Sequence, residues 1–225
     1  MAAAKSNTNW FAIGVSAAVV VVLVVLGGLV VFLNNQATAP GVTPTGATIN
    51  KETGAITVGN GDDEIGTYID FMCPICGQFE DAYGEQLQTA AANDEITLSI
   101  HPIAILDHLS QNTEYSSRAA SAMYCVAEND PDATVPFMNL LFENQPAENS
   151  TGLDDAQLAD FASQAGSEKA ADCIADGTYK KFVADMTKLT PLDPDTGRMG
   201  TPTVTINGDR ISNADIQTEF AKILG

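Results

Sequence analysis

The segment Tyr68–Glu80 constrains the fold of this chain more than any other part of the sequence. It opens with an apolar, aromatic-rich run, which is typical of a buried strand. Cys73 comes next, and Pro74 then suits the first position of a helix, where its missing N–H would be unpaired in any case. Apolar residues recur with helical spacing beyond this point. The pattern therefore predicts that Cys73 and Cys76, a Cys-x-x-Cys pair, lie where a strand gives way to a helix.

This placement favours redox chemistry at the pair. The free N–H groups and the dipole of a helix start stabilise negative charge, so a thiolate at Cys73 is favoured over its thiol. Cys76 lies within disulfide reach on the same turn. We therefore expect Cys73 to be an exposed nucleophile with a low pKa and Cys76 to be its resolving partner. The alternatives are half of a zinc ribbon, although a second Cys-x-x-Cys is missing, and a purely structural disulfide.

The composition excludes one class of partner. The chain has 10 Lys and Arg against 29 Asp and Glu, which gives a formal net charge of −19. Lys5 is the one charged residue before Lys51, so the acidity belongs to the C-terminal part. Such a surface repels phosphate backbones, and nucleic-acid binding is not expected.

Residues 10–33 form an uncharged stretch rich in Val and Leu, long enough as a helix to cross a bilayer. The stretch exceeds the ~7–15-residue core of a typical signal peptide, so we expect an uncleaved transmembrane anchor. The alternative is a removed signal cut after Ala39, although Pro40 should hinder that cleavage. Lys5 and the terminal amine place residues 1–9 in the cytoplasm, and disulfide chemistry requires the C-terminal domain to be outside.

Residues 34–54 are rich in Gly, Pro and Thr and contain little that could pack. They predict a linker between the anchor and a folded domain of residues 55–225. The domain begins with a strand–helix–strand pattern, a β-α-β unit whose two strands are expected to be parallel. From about residue 112 to residue 189 the pattern is helical only.

The sheet is expected to resume near the C-terminus. A strand follows Pro202, and Asn207-Gly208 is a strong hairpin signal. Asn213 is then predicted to cap a closing helix. A helical block is thus inserted into a frame of strands.

With these parts in order, the chain resembles the DsbA-type thiol–disulfide oxidoreductases of the thioredoxin superfamily. The resemblance rests on the motif Asp70–Cys76, the helical insertion and the motif Gly200–Val204, and it covers about residues 56–225. The anchor and the additional cysteines are similar to Gram-positive, particularly actinobacterial, members. The implied architecture is α/β, a thioredoxin fold with an inserted helical domain, preceded by one transmembrane helix.

The resemblance also implies roles for particular residues. Cys73 and Cys76 would be catalytic. The Thr201–Pro202 peptide bond would be cis and lie beside them, at the substrate-binding surface. Pro74, Ile75 and Asp70 would tune the redox properties; many relatives carry His where this chain has Ile75.

The remaining cysteines and the histidines are candidates for further sites. Relatives link two helices of the insertion by a second disulfide, which here would join Cys125 and Cys173; two buried free thiols are the alternative. No metal site is expected at His101 or His108, because further ligands are missing from their surroundings in the sequence.

The expected function is that of a dithiol oxidase, tethered to the cell membrane, which introduces disulfides into exported proteins. The resemblance implies a quinone-linked membrane partner, of the DsbB or vitamin K epoxide reductase kind, that reoxidises the pair; no other cofactor is implied. The alternatives are a reductase or isomerase with the same fold, and a tethered binding module in which the Cys-x-x-Cys pair merely holds a loop.

Overall fold

The computed structural model describes residues 10–38 and 41–225. The expected cytoplasmic tail, residues 1–9, lies outside the described residues, and so do positions 39 and 40, where the alternative cleavage site falls. The chain divides into two units, Met1–Pro40 and Gly41–Gly225.

Helix α1, Trp10–Thr38, is the described part of the first unit. Its segment Ile13–Phe32 has a mean hydropathy of 3.0, and apolar side chains cover its whole circumference. Among the described helices it is the one long and apolar enough to cross a membrane. The sequence predicted that this span ends at residue 33, whereas the helix continues to Thr38.

A mixed five-stranded sheet, in the order β1-β3-β2-β4-β5, forms the centre of the second unit. Strands β2 and β3 are parallel, and the other neighbouring pairs are antiparallel. The predicted β-α-β unit is therefore confirmed. The strands are β1 Ile56–Val58, β2 Asp63–Ile69, β3 Ile96–Pro102, β4 Thr203–Ile206 and β5 Asp209–Ile211.

A helix in three pieces connects β2 to β3. It comprises α2, Pro74–Phe79, a wider π-helical turn, Glu80–Gly84, and α3, Glu85–Ala92. The sequence predicted a regular helix from residue 74 to about residue 92, because apolar spacing does not reveal a local widening of one turn. Its inward side buries Cys76, Phe79 and Leu87 in the core.

The chain between β3 and β4 forms the expected helical insertion. Cys125 and Cys173, from two of its helices, form a disulfide with an S–S distance of 2.01 Å, as the resemblance implied. The helices are α4 Tyr115–Asn129, α5 Thr134–Glu143, α6 Asp155–Gln164, α7 Ala171–Ala175 and α8 Lys180–Thr187.

Residues 41–54, expected to belong to a linker with little packing, instead pack within the second unit. Ile49 is buried in the core and bridges to β1. The backbone N–H of Thr45 donates to Glu128 at 2.8 Å, and the Tyr124 hydroxyl donates to the Gly54 carbonyl at 2.7 Å. Backbone groups of Thr45 and Gly54 thus find partners on α4, and Ile49 joins the core, which a composition rich in Gly and Thr did not indicate.

The C-terminal hairpin forms where the sequence predicted it, but the last helix begins at a different residue from the predicted one. Asn207 and Gly208 both have positive φ angles, 51° and 87°, as a two-residue hairpin turn requires. The predicted Asn213 cap is wrong: helix α9, Ile216–Leu224, follows Asp215, and no side chain caps it. Residues 212–215 form a turn closed by a bond from the Asp215 N–H to the Ser212 carbonyl, at 2.9 Å.

Candidate active site

The turn between β2 and α2 presents the Cys-x-x-Cys pair. Cys73 occupies the residue before the helix, with extended backbone angles of φ −82° and ψ 113°, and Pro74 begins the helix. The Cys73 N–H donates to the Asp70 carbonyl at 3.0 Å. Because no side chain caps the helix start, its first N–H groups remain available to the sulfur of Cys73.

Both cysteines are free thiols, and they are more buried than the sequence suggested. Cys73 was expected to be exposed but has a relative exposure of only 5%, and Cys76 has 0%. The Cys73 sulfur lies 3.5 Å from the carbonyl oxygen of Thr201, to which it donates. A segment distant in the sequence therefore covers the pair, and Cys73 remains the more accessible of the two sulfurs.

The surroundings shift the two thiol pKa values in opposite directions. The hydrogen bond from the Cys76 side chain, together with the backbone N–H groups of Cys76 and Ile75, lowers the pKa of Cys73 to about 7 against the effect of burial. Burial and the neighbouring Cys73 sulfur raise the pKa of Cys76 well above its usual value. Of the two thiols, Cys73 is therefore the one that ionises first as the pH rises.

Thr201 contacts both sulfurs from the strand side. The Thr201–Pro202 peptide bond is cis, as the resemblance implied. The Thr201 hydroxyl lies 2.9 Å from the Cys76 sulfur and 3.2 Å from the Tyr68 carbonyl oxygen, and it can donate its one proton to either of them. This contact lowers the pKa of Cys76 and partly offsets the effect of burial.

Asp70 is fully buried beneath the active-site turn. Its carboxylate accepts hydrogen bonds from the backbone N–H groups of Met72 and Leu106, each at 2.9 Å. Burial raises the pKa of Asp70 to about 6, despite these hydrogen bonds. The negative charge of Asp70 raises the pKa of Cys73, so the carboxyl group is electrostatically linked to the nucleophile.

Two apolar side chains are exposed in the segments that carry the site. Ile75, the second residue of α2, has a relative exposure of 53%, and Met199, shortly before the cis proline, has 42%. Pro74 is also exposed. Apolar side chains on the surface of a redox site can contact an extended polypeptide that approaches the sulfur.

Gln145, which sequence analysis missed, contacts the same turn. Its side-chain amide donates to the Cys73 carbonyl at 2.9 Å and to the Phe71 carbonyl at 3.2 Å. Gln145 lies in the loop after α5 and is separated from Cys73 by 72 positions. Nothing in the sequence around it signals this contact, which arises only when the insertion packs on the thioredoxin frame.

Metal coordination finds no support in residues 10–38 and 41–225. No group of three or more His, Cys, Asp or Glu side chains among them could hold a metal ion. His101 instead stacks on Tyr68 with ring centroids 3.9 Å apart, and burial lowers the pKa of His101 to about 4.

Comparison with known proteins supports the fold and the chemistry. The family model described as thioredoxin matches residues 51–225. The reduced disulfide bond oxidoreductase DsbG of Mycobacterium tuberculosis is 31% identical, with a TM-score of 0.64, over 76% of this chain and 88% of that one. Oxidised DsbA of the same organism is also 31% identical, with a TM-score of 0.64, over 76% of this chain and 93% of its own.

Two further relatives match less of the chain or at lower identity. MdbA of Corynebacterium diphtheriae, a thiol–disulfide oxidoreductase, shares the fold with a TM-score of 0.64 at 23% identity, over 84% of this chain and 98% of its own. The serine/threonine-protein kinase PknE of Mycobacterium tuberculosis is 39% identical over 111 residues, 47% of this chain. That match spans only 20% of the length of the kinase.

Proposed function

The chain belongs to the thioredoxin family as a DsbA-type thiol–disulfide oxidoreductase, and we propose that it is an oxidase that introduces disulfides into exported proteins. It acts outside the cytoplasm, held at the cell membrane by one N-terminal helix. Cys73 and Cys76 are the catalytic pair. Thr201 and Pro202 form the surface on which the substrate lies, and Asp70, Pro74 and Ile75 tune the reactivity of Cys73.

The reaction is a pair of thiol–disulfide exchanges. A substrate thiolate attacks the Cys73 sulfur of the oxidised pair, the Cys73–Cys76 bond breaks, and Cys76 leaves with the bonding electrons and takes up a proton. A second substrate thiolate then attacks the substrate sulfur of the mixed disulfide, and Cys73 leaves as thiolate. The substrate has lost two electrons and gained one disulfide, and the enzyme holds the two electrons as a dithiol.

The opposite shift of the two thiol pKa values is the observation that carries thiol–disulfide exchange at this pair, and the oxidase direction is proposed from the similarity to DsbA. A low pKa of Cys73, about 7, makes that sulfur a good leaving group in the second exchange. It also stabilises the reduced pair relative to the disulfide, so the oxidised enzyme tends to accept electrons. Cys76, with its raised pKa and full burial, takes no part in contacts with substrate.

Reoxidation requires an electron acceptor at the membrane. We infer a quinone-linked membrane protein, of the DsbB or vitamin K epoxide reductase kind, which would remove the two electrons by the reverse exchange at Cys73. An anchor formed by α1 would confine both partners to the same membrane. The substrates are exported proteins that emerge with reduced cysteines.

Oxidative refolding tests the proposal directly. The oxidised chain should restore the activity of a reduced, unfolded ribonuclease in stoichiometric amount, and Cys73→Ala should restore none. Cys76→Ala, first converted at Cys73 to a mixed disulfide with thionitrobenzoate, should form a mixed disulfide with a ribonuclease cysteine as thionitrobenzoate leaves. A reductase would reduce insulin rapidly and have a potential near that of thioredoxin, about −270 mV, whereas a binding module would neither oxidise nor reduce.

The location is tested separately in the cell. Protease added to intact spheroplasts should remove the whole C-terminal unit while a tag placed before Trp10 survives. A protected C-terminal unit would exclude the extracytoplasmic location, and release of the unit into the medium without protease would indicate a cleaved signal in place of an anchor.

A further inference from the structure

The helical insertion reaches the active-site backbone through one side chain. The amide nitrogen of Gln145 donates to the Cys73 carbonyl at 2.9 Å and to the Phe71 carbonyl at 3.2 Å. The two carbonyls lie on either side of Met72, so a single NH₂ group bridges the turn that leads to the nucleophile. Both hydrogen bonds cross from the insertion to the thioredoxin frame.

The neighbours of Gln145 hold it against this turn. Phe142, at the end of α5, packs on Phe71 with ring centroids 5.1 Å apart. A Cβ atom at Gly77 would come within 2.6 Å of the Gln145 side-chain oxygen, so a larger residue there would require the amide to shift from its place on the first turn of α2. Gln145 itself is half-buried, which shields its hydrogen bonds in part from water.

The contact acts on the residue that carries the reactive sulfur. Cys73 has an extended backbone and no side-chain cap. Its carbonyl also accepts from the N–H groups of Cys76 at 3.0 Å and Gly77 at 3.2 Å, at the beginning of the helix. An additional N–H donor fixes the orientation of this peptide and places the positive end of a dipole on the carbonyl of the residue that carries the sulfur.

We propose that Gln145 is a positioning residue for thiol–disulfide exchange at Cys73, an inference that rests on the function proposed above. Its amide, supplied by the insertion, holds the Cys73 backbone in the conformation that aims the helix N–H groups at the sulfur. Its N–H dipole favours the thiolate over the thiol. Gln145 does not contact the reacting sulfurs in this role and acts through the Cys73 peptide.

The chain also contains a matched control, which tests whether Gln145 only holds the insertion against the thioredoxin frame. Gln88 on α3 and Asn139 on α5 exchange two amide hydrogen bonds, of 2.8 and 3.0 Å. This pair also connects the insertion to the helix that carries the site, by the same chemical groups, but it does not contact residues 71–73. A variant of Gln88 therefore removes an equivalent contact between the insertion and the frame without changing the Cys73 peptide.

The test measures the apparent pKa of Cys73 from the pH dependence of its alkylation by iodoacetamide. The sample is the full chain in detergent, with Cys73 and Cys76 reduced. Gln145→Met, which keeps the length but not the donor, should raise the apparent pKa and slow alkylation at pH 7 by roughly twofold to tenfold, the effect of one hydrogen bond. Gln145→Glu, which adds a negative charge, should raise it more. Gln88→Met should match the wild type.

Two results would overturn the inference: alkylation of Gln145→Met indistinguishable from that of the wild type, or an equal slowing in Gln88→Met. Gln145→Glu decides the question by the same comparison should the Met variant fold poorly. The measurement involves no substrate. If the wild-type protein is alkylated at Cys73 but oxidises no ribonuclease, the oxidase function is refuted. The alkylation rates of the Gln145 and Gln88 variants would still test the role of Gln145.

Discussion

The Thr201 hydroxyl lies 2.9 Å from the sulfur of Cys76, the less accessible of the two site cysteines. This hydrogen bond lowers the pKa of Cys76, whereas burial raises it. Thr201, a residue of the proposed substrate surface, thus also affects the pKa of Cys76. The Cys76 sulfur is the leaving group during substrate oxidation and the attacking group in the reverse reaction.

Thr201→Val should therefore slow the step in which Cys76 attacks a mixed disulfide. The substitution keeps the side-chain shape but removes the hydroxyl, so the pKa of Cys76 rises and less thiolate is present. A glutathione mixed disulfide formed on Cys73 should release glutathione about twofold to tenfold more slowly at pH 8, as expected for one hydrogen bond. Thr201→Ser, which restores the hydroxyl, should release it at the wild-type rate; a slow Ser variant would refute the assignment.

Asp70 should make stability fall as the pH rises. Its pKa is raised to about 6 in the folded protein, against about 3.9 in an unfolded chain. As the pH rises, the unfolded chain loses this proton at a lower pH than the folded protein does. Between about pH 4 and pH 6 the free energy of unfolding therefore falls by on the order of 3 kcal/mol, because the pKa differs by about two units and each unit corresponds to about 1.4 kcal/mol. Denaturant unfolding across this range should show the loss in the wild type, and the step should be missing in Asp70→Asn.

Asp70→Asn should also lower the pKa of Cys73, because the negative charge of Asp70 raises the pKa of Cys73 in the wild type. Thiolate absorbance against pH measures this. Asp107→Asn, at a nearby carboxyl group that accepts from Ser117, is the control; it should retain the stability step in reduced size, because the charge of Asp107 contributes to the raised pKa of Asp70. A step that persists in Asp70→Asn would assign the pH dependence to another group.

Ile75→His should make the enzyme a stronger oxidant. The Ile75 side chain has a relative exposure of 53% at the start of α2 and offers neither a donor nor a charge to the Cys73 sulfur. A histidine there can stabilise the thiolate, and each pKa unit, about 1.4 kcal/mol, corresponds to about 30 mV in a two-electron couple. Equilibration with glutathione should place the variant tens of millivolts above the wild type. Ile75→Gln, which adds polarity without a charge, should change less; an unchanged potential in Ile75→His would show that this position does not tune the pair.

The disulfide between Cys125 and Cys173 should contribute to stability and leave the redox site unaffected. It closes a loop of 48 residues within the insertion, which corresponds to about 2–4 kcal/mol of stabilisation. Replacement of both cysteines by Ala should lower the free energy of unfolding by that amount. Alkylation of Cys73 should remain at the wild-type rate, and a change in that rate would show that the insertion controls the site through this bond.

The strand–helix junction could be predicted because its causes are local. An apolar run, a cysteine and a proline are sufficient to place Cys73 before a helix, and the parallel pairing of β2 with β3 follows from a helical connection long enough to return the chain to the same end of the sheet. The hairpin at Asn207 was predictable for the same reason, since its left-handed backbone needs particular residues. The apolar character of α1 was visible in its composition alone.

What escaped prediction depends on contacts between distant segments. The Cys73 sulfur contacts the main chain of Thr201, 128 positions away, and the Gln145 contact comes from the loop after α5. The periodicity of a sequence segment predicts its own secondary structure. It does not predict which residues of a distant segment will contact it. The π-helical turn at Glu80–Gly84 changes the hydrogen bonding of one turn without changing the apolar spacing enough to be recognised.

The packing of residues 41–54 has a practical consequence for anyone who shortens this protein. A soluble fragment begun at Ala55, where the composition changes, would lose Ile49 from the core and leave the Tyr124 hydroxyl without its acceptor. Burying an unpaired hydroxyl alone costs about 1–3 kcal/mol. A fragment for crystallisation or assay should therefore start no later than Gly41, and one begun at residue 55 would report the stability of a damaged domain.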